Sequence, residues 1–254
     1  MLLAVRRAGR STAGMSARFE ELDFQPTPLG DISLRRRRIL SLGNVDVFEI
    51  KLGEEFLMSS LFHEVEVALS NLGLAAVEGS ALDVVVGGLG LGYTAAAALE
   101  HSTVASLAVV EYLEPVIGWH KRGMVPLGPR LTGDGRCRFV HGDFFALAAR
   151  PEAGFDPEQP GRRFHAVLLD IDHSPRNLLH DRHGGFYQAD GLRRLSEHLH
   201  PQGVFALWSD DAPDEDFLGV LSEVFGDAVA HVVKFANPLQ DKDSASTVYV
   251  ARKR

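Results

Sequence analysis

The sequence predicts an α/β protein: a doubly wound, mainly parallel sheet, preceded by a small β-hairpin region and closed by an antiparallel hairpin at one edge. Three observations carry this. From Leu82 to Phe225, short β-branched or apolar runs alternate with helix-period segments, as repeated strand–helix units require. The first unit, LDVVVGGLGLGYTAAAALE (Leu82–Glu100), passes from an apolar run through a glycine turn into an alanine-rich helix. The last two runs, Ala228–Phe235 and Ser246–Ala251, are joined by the turn-rich Asn237–Asp243 instead of a helix, so they pair antiparallel.

Taken in order, Met1–Ser16 holds Arg6, Arg7 and Arg10 and no acid, a composition like that of an organelle transit peptide. With Met15 as an alternative start, residues 1–18 are expected to be a disordered extension. Phe19–Pro28 reads as turn-rich. Ile32–Leu34 and Val45–Lys51 alternate apolar and polar residues about Gly43-Asn44, which predicts a hairpin. The run Arg35–Arg38 invites an anion-binding reading, but charge that keeps an exposed strand edge soluble accounts for it better. From Glu54 to Leu72 apolar residues fall three and four apart, predicting a helix. A composition shift near Gly79 separates a small region, 19–78, from a larger unit, 79–254. In that unit the strands are Leu82–Val86, Leu107–Val110, Arg138–His141, His165–Leu169 and Val204–Leu207. The helices are the segment after Tyr93, Leu113–Arg122, Phe144–Ala149, Phe186–Leu199 and Glu215–Phe225, with Pro151–Arg163 a surface loop.

The totals restrict the function. A chain of 254 residues with 45% apolar content builds a sizeable core. A formal charge of −8 argues against nonspecific nucleic-acid binding and suits a small cationic amine. Cys137, the single cysteine, excludes an internal disulfide and a cysteine-based zinc site, so a reducing, cytoplasmic setting is expected. No apolar run reaches membrane-spanning length, and no membrane partner is expected.

Between the first strand and its helix lie Gly87, Gly88, Gly90 and Gly92. Glycine lets a chain turn sharply and a ligand approach the backbone, and the following helix offers unpaired N–H groups. Glu111 ends the next strand about 20 residues on, where an acid commonly takes ribose hydroxyls, and Asp143 follows the strand after that. The spacing is G-x-G-x-G, not the G-x-G-x-x-G of dinucleotide folds, which favours an S-adenosylmethionine-type nucleoside over NAD.

Strand ends also supply Asp170, Asp172, Asp210 and Asp211, so six acids are expected around one crevice. Like charges gathered there require a positive partner: a metal, a sulfonium compound or an amine. Metal is the weakest of the three. His180 and His183 stand in a turn-like stretch beside Gly184-Gly185 and read as solvated loop residues, so no metal ligands are assigned. Asp170 ends the apolar run HAVLLD, at the rim of a low-dielectric core that suits a general base; capping the next segment is its alternative role. Tyr187 is a candidate for the pocket wall, but for an aromatic at a helix start the role of core anchor is the better reading.

FHAVLLDIDHSP, GGFYQADGLRRLSEHLHPQGVFALW, the glycine turn, Glu111 and GDF resemble the spermidine synthases, the polyamine aminopropyltransferases, over roughly Val45 to the C-terminus, and GEEFLMSS is similar to the end of that family's small N-terminal β-domain. The resemblance implies a methyltransferase-like Rossmann domain behind a β-hairpin domain, a homodimer, and metal-free aminopropyl transfer from decarboxylated S-adenosylmethionine to an amine. By position it implies that the glycines pass against the nucleoside, Glu111 holds the ribose, Asp143 receives the adenine amino group and Asp170 deprotonates the amine. Asp172, a second catalytic candidate, and Asp210 would grip the amine from new directions, and Tyr187 and Trp208 would line the acceptor side with Asp210. Several positions depart from the family pattern. Gly90 stands where the family has an aspartate, Asp170-Ile171-Asp172-His173-Ser174-Pro175 is one residue longer than D-x-x-D-P, and Met58, Ser59 and Ser60 replace a tyrosine and a polar pair. Trp208 replaces a glutamine and Leu239 a tyrosine. Gly90 removes a charge that would repel the carboxylate of intact S-adenosylmethionine, so methyl transfer stands as an alternative. Nucleoside binding without catalysis is a second.

Overall fold

The left-handed turn chemistry of Gly43 (φ 77°) and Asn44 (φ 65°) lets strand β2 (Gly30–Ile39) fold back on β3 (Val45–Leu52), in register from Ile39 opposite Val45 to Ile32 opposite Leu52. This computed structural model describes residues 18–254, so the extension expected over residues 1–18 lies, but for Arg18, outside the described residues. β1 (Phe19–Thr27) and β4 (Glu55–Ser59) complete a four-stranded antiparallel sheet in the order β1-β2-β3-β4.

Three expectations are corrected here. Phe19–Pro28 is a strand through Thr27, and it tolerates Pro26 because β1 is an edge. Arg35–Arg38 is not an edge, since β2 lies between β1 and β3. Cross-strand pairing brings the four guanidiniums to carboxylates on both neighbours: Arg35 to Glu21 (3.6 Å) and Arg36 to Glu20 (2.5 Å) on β1, Arg37 to Glu49 (2.6 Å) and Arg38 to Asp46 (2.7 Å) on β3. The segment Glu54–Leu72 is divided. Pairing with β3 takes Glu55–Ser59 into the sheet, and only Glu64–Ala75 is helix α1, with Val65, Leu69 and Leu74 buried.

The second sheet has seven strands in the order β10-β11-β9-β8-β5-β6-β7. Its parallel members are β5 (Leu82–Gly87), β6 (Val104–Glu111), β7 (Cys137–His141), β8 (Phe164–Leu169) and β9 (Leu199–Ser209). The closing hairpin, β10 (Asp227–Asn237) with β11 (Lys242–Arg252), pairs antiparallel at the β9 edge, as expected. Residues alternate between faces. Val84 and Val86 pack against α1, α2 (Tyr93–Glu100) and α3 (Glu114–Lys121). Val85 packs on the other side, in the layer that holds α5 (Phe144–Ala148), α6 (Ala189–Glu197) and α7 (Glu215–Phe225). A short helix, α4 (Gly128–Gly133), was not legible in the sequence, and α6 is shorter than Phe186–Leu199 because β9 already begins at Leu199.

The two sheets are joined by side chains. Trp119 on α3 is fully buried and donates its indole N–H to Asp23 Oδ2 on β1 at 2.6 Å; Arg122 reaches the same oxygen at 3.0 Å. Among the described residues no helix is long and apolar enough to cross a membrane.

Candidate functional site

Chain direction reverses its progress across the large sheet between β5 and β8, because β6 and β7 are laid down on one side and β8 and β9 on the other. In such sheets a crevice opens beyond the C-terminal strand ends at that switch. Here it is a cavity of about 420 Å³, walled from the opposite side by the N-terminal sheet and the start of α1. Trp208 and Asp210 line it at the β9 end, Asp170 at β8, Gly88 and Gly90 at β5, Glu111 at β6 and Asp143 at β7. The strand order therefore spreads these groups along a trench.

The glycine turn is shaped by its neighbours. Gly88 (φ +92°) passes so close to β8 that a Cβ there would lie 2.1 Å from the Asp170 carbonyl oxygen. At Gly90 (φ +45°) a Cβ would meet the Met58 thioether at 2.4 Å, so Met58 from β4 occupies the space an acidic side chain would need. Gly87 and Gly92 do not line the cavity. Gly87 makes room for the Phe144 ring, and Gly92 packs on Leu131 and His120 at the start of α2. Glu111 is buried and braces the turn: its Oε2 accepts from Leu89 N (3.0 Å) and its Oε1 from Leu113 N (2.7 Å). Burial pushes its carboxyl up, against those N–H groups.

Asp170 Oδ2 accepts from Thr94 Oγ1 at 2.6 Å, in the first turn of α2. The Thr94 carbonyl in turn accepts from Ser70 Oγ on α1 at 2.7 Å, which draws α1 against this corner. One turn before Ser70 stands Glu66, half-buried on the cavity wall. Burial pushes Asp170 up to about 6. Burial first, then the like charge of Asp170, pushes Glu66 up to about 8, with Glu64 and Asp210 adding to it. Glu66 was missed in the sequence, although a carboxylate at i and a buried Ser70 at i+4, beside Val65 and Leu69, place it on the buried stripe of its helix. A native carboxyl that keeps its proton where the unfolded chain has lost it destabilises the fold increasingly as pH rises from 4.5 towards about 8. Glu66→Gln should therefore gain on wild type in thermal midpoint between about pH 5 and about pH 9, by roughly 2–4 °C per kcal/mol relieved. A pH-independent difference would remove Glu66 from this charge cluster.

Six acids do not share the crevice. Asp211 is exposed, and Asp172 is turned into the protein. Asp172 accepts from Leu179 N (2.8 Å) and Tyr187 Oη (2.8 Å) and lies 2.9 Å from His183 Nδ1. Asp172 and Tyr187 thus hold each other in the core, where a satisfied carboxylate is cheaper than an open one, and neither lines the cavity. His183 is also not a solvated loop residue: it is 5% exposed and stacks on Phe145 at 3.9 Å. Asp143 does line the trench, but its Oδ1 caps α5 through Phe145 N and Ala146 N, and Arg182 stands 3.3 Å from its Oδ2. Asp210 is fixed by Ser246 Oγ (3.2 Å). Among the described residues no group of three His, Cys, Asp or Glu side chains is arranged to hold a metal.

Neither a protein-family model nor a curated protein matches the sequence. Solved structures do match the fold. A spermidine synthase in complex with the transition-state analogue AdoDATO matches with a TM-score of 0.70 at 14% identity, over 92% of this chain and 74% of that one. The spermidine synthase of Thermotoga maritima gives 0.68 at 14% identity, over 92% and 73%. Human methyltransferase-like protein 13 in complex with SAH gives 0.53 at 17% identity, over 75% and 82%. The chain therefore has the class I methyltransferase-like fold, with the N-terminal antiparallel sheet in front of it, that it shares with spermidine synthases.

Proposed function

We propose that the protein is a transferase that moves an aminopropyl group from decarboxylated S-adenosylmethionine to a small amine. The observation that carries this reading is the acidic lining of the trench. Among the described residues, Glu64, Glu66, Glu111, Asp143, Asp170 and Asp210 line it against a single Arg or Lys, Arg182, which sits beside Asp143. The nucleoside would lie over β5 to β7, with Glu111 on the ribose. The sulfonium would face Asp170, and the acceptor amine would enter between Asp170, Glu66 and Asp210, past Trp208. Asp170 takes a proton from the acceptor's ammonium, and the freed nitrogen attacks the carbon bound to sulfur. The C–S bond breaks with its electrons left on sulfur, which departs as a neutral thioether. Holding both reactants in line supplies much of the acceleration.

An intact donor would bring a carboxylate into a wall of acids, at about 4 kcal/mol for each like pair 4 Å apart at an effective dielectric of 20. Calorimetric titration should give at least about tenfold tighter binding of decarboxylated than of intact S-adenosylmethionine. The reverse preference would favour a second reading, methyl transfer, which Gly90 and Met58 support because the thioether of Met58 fills the space at Gly90 where an acidic side chain would add one more charge. For the acceptor, at a pH above about 8, where Glu66 is ionised, Glu66→Gln should raise KM about tenfold with kcat little changed, as loss of one charge-assisted contact predicts. An unaltered KM would exclude Glu66 from the acceptor's grip.

A further inference from the structure

The trench does not end at Asp210. Strand order puts β11 and β10 beyond β9, and Ser244, Ser246, Phe235 and Asn237 of that hairpin continue the cavity wall. Trp208 and Phe235 line it half-buried and pack against the same core cluster, so both stand on the face of the large sheet that meets α1. The ring of Phe62, from the segment between β4 and α1, lies 5.9 Å from that of Phe235, tilted by 56°. Phe56 lines the cavity while 48% exposed, which sets it at the mouth. Its neighbour Glu55 lies 3.1 Å from His173, whose carbonyl accepts from Asp210 N at 2.7 Å, so this mouth is at the Asp210 end. The rings of Phe56, Phe62, Trp208 and Phe235 therefore gather there.

The polar groups of this end are matched among themselves. Asn237 donates to Ser244 Oγ (3.0 Å) and accepts from Leu239 N (3.1 Å), and Ser246 Oγ donates to Asp210 Oδ1 (3.2 Å). Among the described residues that line the cavity, the hairpin supplies no charged side chain. Glu64, exposed on the same wall, accepts from His63 N at 3.0 Å. The carboxyls nearer the chemistry, Asp170, Glu66 and Asp210, already have the donor's sulfonium and ammonium and the acceptor's reacting nitrogen to serve. A second ammonium, carried past them, would lose its water and gain no carboxylate. Ring faces would return only part of that loss, and the tilt of Phe62 on Phe235 does not set two faces around a cation. We propose that the acceptor is an arylalkylamine, a primary monoamine whose apolar ring lies among Trp208, Phe62 and Phe235, and not an α,ω-diamine. This rests on the aminopropyl-transfer reading above and fixes its substrate class. The bond changes are those already given: N–C forms, C–S breaks, and the proton goes to Asp170.

The test is thioether release from decarboxylated S-adenosylmethionine with phenethylamine, butylamine and 1,4-diaminobutane as acceptors. The last two differ only in the far ammonium. In wild type, kcat/KM should fall in the order given, by at least about tenfold at each step. Phe235→Ala should narrow the gap between phenethylamine and butylamine to within about threefold, through KM. Phe235→Glu supplies the missing carboxylate and should reverse the preference between butylamine and the diamine. A purely structural role for Phe235 would depress all three amines alike. In wild type, a diamine used as well as butylamine, or phenethylamine used no better than butylamine, overturns this inference and leaves aminopropyl transfer standing. Thioether release with none of the three overturns both.

Discussion

Asp170→Asn should bind donor within about threefold of wild type while turnover falls by about 10²–10⁴-fold, the usual share of a positioned general base. The substitution keeps the shape and can still accept from Thr94 Oγ1, which holds Oδ2 at 2.6 Å, so the corner where α1, α2 and β8 meet stays intact. What it loses is a proton acceptor. Burial puts the Asp170 carboxyl at about 6, close enough to neutrality to take a proton from an ammonium and far enough below to be ionised at pH 7. Wild-type turnover should therefore rise with pH through about 6, and that limb should be missing from the residual activity of the variant. Full turnover in Asp170→Asn, measured as thioether release, would remove Asp170 from the chemistry.

Trp119→Ala should cost about 3–5 kcal/mol of stability, and lower the thermal midpoint by roughly 6–20 °C. Trp119 is fully buried, so its removal leaves a large void under α3, and Asp23 loses the indole N–H that joins the small sheet to the large one. Since the small sheet and the start of α1 wall the trench, donor affinity should fall with stability. Trp119→Phe separates the two effects: it fills most of the void, lacks the N–H, and should cost about 1–3 kcal/mol. Urea unfolding of the two variants measures both. A loss below about 1 kcal/mol for Trp119→Ala would mean that this joint does not hold the sheets together.

Much of the larger sheet was readable because its elements are locally consistent. Leu82–Gly87 is apolar on both faces, Tyr93–Glu100 is rich in alanine, and Glu215–Phe225 follows an Asp214 that caps it, so period and caps agree with the fold. The misreadings share a cause. Glu55–Ser59 and Phe19–Thr27 are strands only because partner strands are offered to them, and Arg35–Arg38 looks like an edge until its four carboxylate partners arrive from other strands. Pairing between distant segments leaves no local periodicity to read.

At the site, the sequence by itself determined the strand-end residues. Residues that close parallel strands must gather at one rim, and Gly88, Gly90, Glu111, Asp143, Asp170 and Asp210 do line one trench. Tertiary structure alone decided which acids face the ligand and which are spent inside. Asp170 and Asp172 are two residues apart, yet one borders the cavity and the other is enclosed by Tyr187, His183 and Leu179 N. Glu66 reaches the same corner from a helix that precedes the large sheet, brought there by the Ser70–Thr94 bond. Adjacent residues differ in this way because solvation and hydrogen-bond partners come from segments far away in the chain, and those set the free energy of a carboxylate more strongly than its neighbours in sequence.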